Sequence, residues 1–185
     1  MPLVRLETQR LTLFDSGGVE PHMVADFASR NRHFFEPWSA KVGDEYYTPG
    51  FWEKKLSKNQ ALEAEGVQFT FFVCLNEDLS EIVAQVSLTQ IARGPFQSCY
   101  LGYMTAEKHI RKGIMFEAIR EVINFAFGSL KLHRIEANII PCNQASVKLV
   151  EKLGFTYEGL AIKYLQINDI WEDHKHYAIR NIAME

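Results

Sequence analysis

Residues 98–115 read Ser-Cys-Tyr-Leu-Gly-Tyr-Met-Thr-Ala-Glu-Lys-His-Ile-Arg-Lys-Gly-Ile-Met, and they set Arg111, Lys112 and Gly113 at the entry of an apolar helix. The first turn of a helix carries N–H groups without intrahelical partners and the positive end of the peptide dipoles, so it receives anions. Arg111 and Lys112 add side-chain charge, and Gly113 lets a ligand approach the backbone closely. The chemistry on offer is the seating of a phosphate. A solvated surface turn could carry the same three residues, so the motif takes its meaning from its context.

Other chemistry-bearing side chains are fewer. His174 and His176 share one face of a predicted strand, the spacing of a metal pair, yet no third ligand stands at zinc-like spacing, so packing or hydrogen bonding is their expected role. Lys54, Lys55 and Lys58 form a basic stripe on a predicted helix, which is ordinary solvated surface. Asn143 precedes Ser146 by three residues at a helix start, where asparagine is a good N-cap and Ser146 can simply close the turn.

These residues need elements to hold them. Residues 10–14 alternate enough for an edge strand, and Asp15-Ser16-Gly17-Gly18 breaks it. A helix is expected over 19–29. Residues 31–38, Asn-Arg-His-Phe-Phe-Glu-Pro-Trp, are too irregular for either periodic element. They read equally as a hydrophobic loop on the core or as one wall of a substrate cleft. Thr48 and Pro49 open a second helix over 50–65 as N-cap and first helical residue. Strands at 68–75 and 82–91, joined by a polar turn, form a hairpin, and a third strand at 98–105 leads into the phosphate seat.

From Ile114 the apolar positions Ile114, Met115, Ala118, Ile119, Val122, Ile123, Ala126 and Phe127 make a helical stripe, closed at Gly128. A strand at 134–140 and a helix at 143–153 follow. This strand, helix, strand, helix order implies a right-handed crossover and a locally parallel strand pair. The remainder reads as strands around 164–167 and 171–182, turning at Asn168-Asp169, two residues that tolerate the positive φ of tight hairpins.

Composition limits the options. The 185 residues, 47% hydrophobic and 23% charged, suit one α/β domain over 1–185 with a core of its own. No run approaches the roughly 20 apolar residues of a membrane span, and Arg5, Glu7 and Arg10 interrupt any signal-like start. Three cysteines, odd in number and not closely spaced, point to a reducing compartment, the cytoplasm. A net charge of −3 gives no electrostatic case for binding duplex nucleic acid.

Leu101-Gly102-Tyr103, the glycine at the helix mouth, Ile140-Pro141-Cys142-Asn143-Gln144-Ala145-Ser146 and Leu153-Gly154-Phe155 occur in the order and spacing of the GNAT acetyltransferases. Within that superfamily the chain most resembles the RimJ-type ribosomal-protein-alanine N-acetyltransferases, through Asn31-Arg32-His33-Phe34, residues 99–103, residues 115–118, His133-Arg134-Ile135 and Trp171-Glu172-Asp173-His174. The resemblance implies a mixed, mostly antiparallel twisted sheet, flanked by helices and splayed beside its fourth strand, with the pantetheine arm of acetyl-coenzyme A in the gap. It implies binding of the coenzyme by Tyr103, Met104, Thr105, Arg111, Lys112, Gly113, Ile114, Asn143 and Ser146, and no metal. The family's Gln/Arg-x-x-Gly-x-Gly/Ala motif is matched at Gly113 but departs at Ile110 and Met115.

By the same resemblance the Met104 N–H is an oxyanion-type donor to the thioester carbonyl, and Ser146 acts toward the departing sulfur. The family's glutamate on the fourth strand is replaced by Tyr100, which leaves Glu36 and Asp173 as candidates for the base. An α-amino group has a reference pKa near 8, about two to three units below lysine, so a modest base or a water relay suffices. The implied reaction is acetyl transfer to the N-terminus of a protein, an alanine on a ribosomal protein. A small-molecule amine as acceptor, or a non-catalytic ribosome-associated factor with residual coenzyme A binding, are the alternatives.

Overall fold

The computed structural model describes residues 3–185. Its frame is one eight-stranded sheet. The strands are β1 (Arg5–Glu7), β2 (Leu11–Phe14), β3 (Phe69–Leu75), β4 (Asp78–Ala92), β5 (Ser98–Thr105), β6 (Arg134–Ile139), β7 (Thr156–Ile167) and β8 (Ile170–Arg180). They lie in the order β1-β2-β3-β4-β5-β6-β8-β7. Every neighbouring pair is antiparallel except β5 and β6.

The helices are α1 (Pro21–Arg30), α2 (Arg32–Phe35), α3 (Pro49–Ala64), α4 (Ile114–Gly128) and α5 (Gln144–Lys152). Side chains of a strand alternate between its faces, so a sheet covered on both sides needs apolar residues at successive positions. β3 shows this: Phe69, Phe71 and Val73 pack in the cluster that contains α4, while Phe72 and Cys74 pack with Val24 and Phe27 of α1 and Trp52 and Leu56 of α3.

Two expectations give way here. Residues 11–14 are not an edge strand, because β1 pairs outside them, Arg5 opposite Phe14 and Glu7 opposite Thr12. Residues 32–38 are helical, as the short α2 and a 3₁₀ turn over Glu36–Trp38. Proline is tolerated in the first turn, and Phe35 gains a packing partner in Phe27, with ring centroids 5.4 Å apart.

The parallel contact that positions the site is short. β5 and β6 pair only at Ser98↔Arg134, Cys99↔Ile135 and Tyr100↔Glu136, whereas β5 continues against β4 as far as Thr105↔Ala84. From Leu101 onward the sheet is therefore open on one side of β5. On the far side of the opening, β7 and β8 form a long hairpin, whose turn residues Asn168 (φ 46°) and Asp169 (φ 64°) both adopt the left-handed conformation expected of them. The β7–β8 register shifts twice, between Tyr157 and Gly159 and between Ala161 and Leu165.

Candidate active site

The mouth of α4 stands beyond the end of β5, across a loop with a 3₁₀ turn at Glu107–His109. Gly113 is its N-cap in the left-handed region (φ 75°), and Arg111 is also left-handed (φ 59°). α3 and α5 are capped by side chains: Thr48 Oγ1 accepts from the Phe51 N–H at 3.4 Å, and Asn143 Oδ1 from the Ser146 N–H at 3.1 Å. α4 has no side-chain cap, and its first helical bond runs from the Glu117 N–H to the Gly113 carbonyl. The N–H groups of Ile114, Met115 and Phe116 are thus left without intrahelical partners, beside the exposed Arg111, Lys112 and Gly113. Met115, which stands where the motif has a small residue, is buried in the core.

Behind this mouth lies His109, nine-tenths buried, with neither ring nitrogen hydrogen-bonded. Burial, helped by the nearby Lys112 and Lys108, lowers its pKa, so the ring is held neutral.

The opening of the sheet brings two groups of the predicted residues together, one on each face. On the α5 side, the Tyr103 hydroxyl reaches the Ser146 carbonyl at 3.5 Å, and burial pushes that phenol up to about 12. The same Ser146 gives its N–H to Asn143, so Tyr103, Asn143 and Ser146 form one connected unit across the gap between β5 and α5. Thr105 follows on β5, whose edge is free of β6 at this level.

On the opposite face, Met104 forms the floor of a cavity of about 350 Å³. Its walls are Phe35, Tyr46 and Tyr47, and Glu36 stands at its rim. Arg32 Nε donates to Glu36 at 2.9 Å and Nη1 to Asp44 at 3.0 Å, while its guanidinium lies 4.5 Å from the Tyr47 ring centroid. The tip of the β7–β8 hairpin roofs the cavity: Asn168 Nδ2 donates to the Glu36 carbonyl at 2.6 Å and Lys41 pairs with Asp169 at 3.1 Å. Arg32, Phe35 and Glu36 of the 31–38 segment thus line this cavity, while Phe35 also packs on the core.

Asp173 is placed elsewhere. It accepts the Lys163 N–H at 2.9 Å, at one of the register shifts of β7, and alternates along β8 with His174. His174 lies on the face shared with Met104, and Asp173 on the other. Asp173 thus holds a backbone amide and does not line the cavity.

The sequence reading missed a polar group on the cavity side of the opening. Asn138 Nδ2 donates to the Tyr164 hydroxyl at 3.2 Å, and the Tyr164 ring lies 4.7 Å from His176 and 5.5 Å from His174. Tyr100 and Glu136, register partners on β5 and β6, lie beside it. Burial leads the causes that raise the Tyr164 phenol pKa. The two histidines are aromatic packing partners, as expected of them. Among the described residues no cluster of His, Cys, Asp or Glu could hold a metal ion.

A sheet opened beside β5, an uncapped basic helix mouth at its end and a cavity on its other face define an acetyl-coenzyme A-dependent N-acetyltransferase of the GNAT type. The chain belongs to that family: the model of the acetyltransferase (GNAT) domain matches residues 7–156. It is 42% identical to the probable N-acetyltransferase YjcK of Bacillus subtilis (strain 168), over 83% of this chain and 84% of the relative. It is 35% identical to the ribosomal protein uS5-alanine N-acetyltransferase of Escherichia coli (strain K12), over 94% and 89%. The crystal structure of a ribosomal-protein-S5-alanine acetyltransferase from Vibrio fischeri superposes with a TM-score of 0.91 at 34% identity, covering 98% of this chain and 99% of that one. The acyl donor is acetyl-coenzyme A, and no helix among the described residues is long and apolar enough to cross a membrane.

Proposed function

We propose that this enzyme acetylates the α-amino group at the start of a protein chain, an alanine on a ribosomal protein, in the cytoplasm, with residues 1–185 acting as one domain. The carrying observation is the roofed cavity on Met104. The Asn168–Glu36 and Lys41–Asp169 contacts join the segments that line it, and a chain terminus with a small first side chain suits a space of about 350 Å³ lined by aromatic rings. The likeness to the uS5-alanine enzyme over nearly the whole chain favours the same acceptor.

In this reading Ile114 and its neighbours give N–H groups to the diphosphate, Arg111, Lys112 and Gly113 lend charge and room, and Tyr103, Thr105 and Asn143 line the pantetheine arm. Of the β5 amides, those of Tyr103 and Thr105 face the opening and serve as donors to the thioester carbonyl as negative charge develops on it, whereas the register turns the Met104 N–H toward Gln85 of β4. Glu36, at the rim of the same cavity, takes the proton from the attacking amine through water, and Arg32 fixes its carboxylate in place. The carbon–sulfur bond breaks as the amide forms, the Ser146 hydroxyl donates a hydrogen bond to the departing thiolate, and the proton lost by the amine returns through water to neutralise it.

Incubation with acetyl-coenzyme A and peptides beginning Ala, Ser, Met or N-blocked Ala, followed by mass measurement, tests the proposal. One acetyl group on free Ala and none on the blocked peptide is expected. Modification of small amines alone would overturn it.

A further inference from the structure

The N-terminal turn between β1 and β2 is tied to the mouth of α4 through one side chain. Arg10 Nη1 donates to the Lys112 carbonyl at 3.2 Å. Its Nε donates to Glu117 at 2.7 Å, its Nη2 lies 2.6 Å from the same carboxylate, and its backbone N–H reaches Glu117 at 3.1 Å. Thr8 Oγ1 completes the group at 2.6 Å from Glu117. Glu117 is buried, whereas the Arg10 side chain is half exposed. No catalytic or binding role assigned above uses Arg10.

Its contact with Lys112 has a directional effect. The carbonyl of Lys112 and the N–H of Gly113 belong to one planar trans peptide and point in opposite directions. A donor holding the carbonyl on one side therefore aims the Gly113 N–H toward the other, away from Arg10. Both residues flanking Lys112 are left-handed, so this peptide plane has no helical bond to fix it. Arg10 has a second effect, on charge. Glu117 puts an anion in the first turn of α4, where it would repel a diphosphate. Burial opposes its ionisation, but the Thr8 hydroxyl and the Arg10 contacts outweigh burial and hold the carboxyl below its usual range, so Arg10 neutralises a charge that is present.

We propose that Arg10 is a positioning residue for the donor: it turns the Lys112–Gly113 peptide so that its N–H faces the diphosphate, and it cancels the Glu117 charge beside that seat. The proposal rests on the reading that the mouth of α4 seats the diphosphate. Thr8 supports Glu117 but does not touch the Lys112 carbonyl, so its loss should not disturb the seat.

Competitive titrations against coenzyme A separate these effects, with inorganic pyrophosphate as a probe of the seat and S-acetylpantetheine as a probe of the arm alone. Arg10→Gln should weaken both coenzyme A and pyrophosphate roughly tenfold, the loss of one charge-assisted bond, and leave S-acetylpantetheine unchanged. Thr8→Val should leave all three unchanged. If Arg10→Gln does not fold, Arg10→Lys serves: it keeps the charge beside Glu117 but replaces the planar fork, whose Nε and Nη2 face Glu117 while Nη1 faces the Lys112 carbonyl, with one nitrogen on a shorter stem, so a smaller but equally selective weakening is expected. Unchanged coenzyme A affinity, or equal weakening of S-acetylpantetheine, would overturn the role of Arg10. Failure of pyrophosphate to compete in the wild type would overturn the seat and this role with it.

Discussion

Replacing Gly113 with alanine tests the mouth of α4 with a magnitude that comes from the backbone alone. A Cβ built there has Arg10 Nη2 as its nearest neighbour at 3.5 Å, an ordinary contact, so the substitution meets no steric obstacle. The cost is the left-handed conformation at φ 75°, about 1–2 kcal/mol for an L-residue. For a chain of this length about 1 kcal/mol corresponds to about 2–4 °C in Tm, so a fall of roughly 2–8 °C is expected by scanning calorimetry. A loop that relaxes to negative φ swings its N–H groups out of line, so coenzyme A affinity should fall as well. Gly113→Asn, which tolerates the left-handed region, should keep more of both quantities. An alanine variant with unchanged Tm and coenzyme A affinity, or an asparagine variant worse than alanine, would refute the reasoning.

Ser146→Ala should slow turnover with little change in coenzyme A affinity or Tm, because the cap of α5 uses the backbone N–H of Ser146 and leaves its hydroxyl free to act; equal loss of rate and affinity would assign Ser146 to structure. Glu63, on the buried face of α3, accepts from Ser16 Oγ at 2.7 Å and the Thr70 N–H at 3.0 Å, and burial raises its pKa above the usual carboxylate value. A raised acid binds more protons in the folded state, so its contribution to stability is greatest at acid pH and declines as pH rises through the folded pKa. Glu63→Gln keeps both accepted bonds, and its Tm relative to wild type should therefore climb between pH 4 and pH 8; a flat difference would refute this. Lys41→Ala removes one of the two bridges over the cavity and leaves the left-handed Asp169 untouched. It should change KM for a peptide acceptor while leaving Tm and KM for acetyl-coenzyme A in place, as measured by steady-state kinetics.

The basic mouth of α4 was legible because it is local. A glycine, two cations and the start of a 3.6-residue stripe lie within a few positions of one another, and the structure adds only that α4 lacks the side-chain cap its neighbours have. The Asn143 cap and the Asn168-Asp169 turn were legible for the same reason. β1 was not, since Arg5-Leu6-Glu7 is too short to show a period, and without it β2 looked like an edge. α2 was hidden by Pro37, which ends most helices but here starts a 3₁₀ turn. The group formed by Tyr100, Asn138, Tyr164, His174 and His176 could not be read at all, because it depends on the register of four strands and on where β5 parts from β6. The contact of Asp173 was illegible for a related reason: it accepts from an amide freed by a register shift that no sequence pattern announces.

Those shifts in β7 matter beyond the amide they release. β7 is the outer strand of the sheet, twelve residues long, and Leu160, Ile162 and Leu165 on it are exposed. A straight ribbon of that length and character would be a template for a second chain to zip onto, the first step toward fibrils. Each irregularity breaks the ladder and sharpens the local twist, so no long uniform run of main-chain donors and acceptors is offered to a passing molecule. The two irregularities thus make edge-to-edge pairing less favourable for a hairpin that carries Leu160, Ile162 and Leu165 in water.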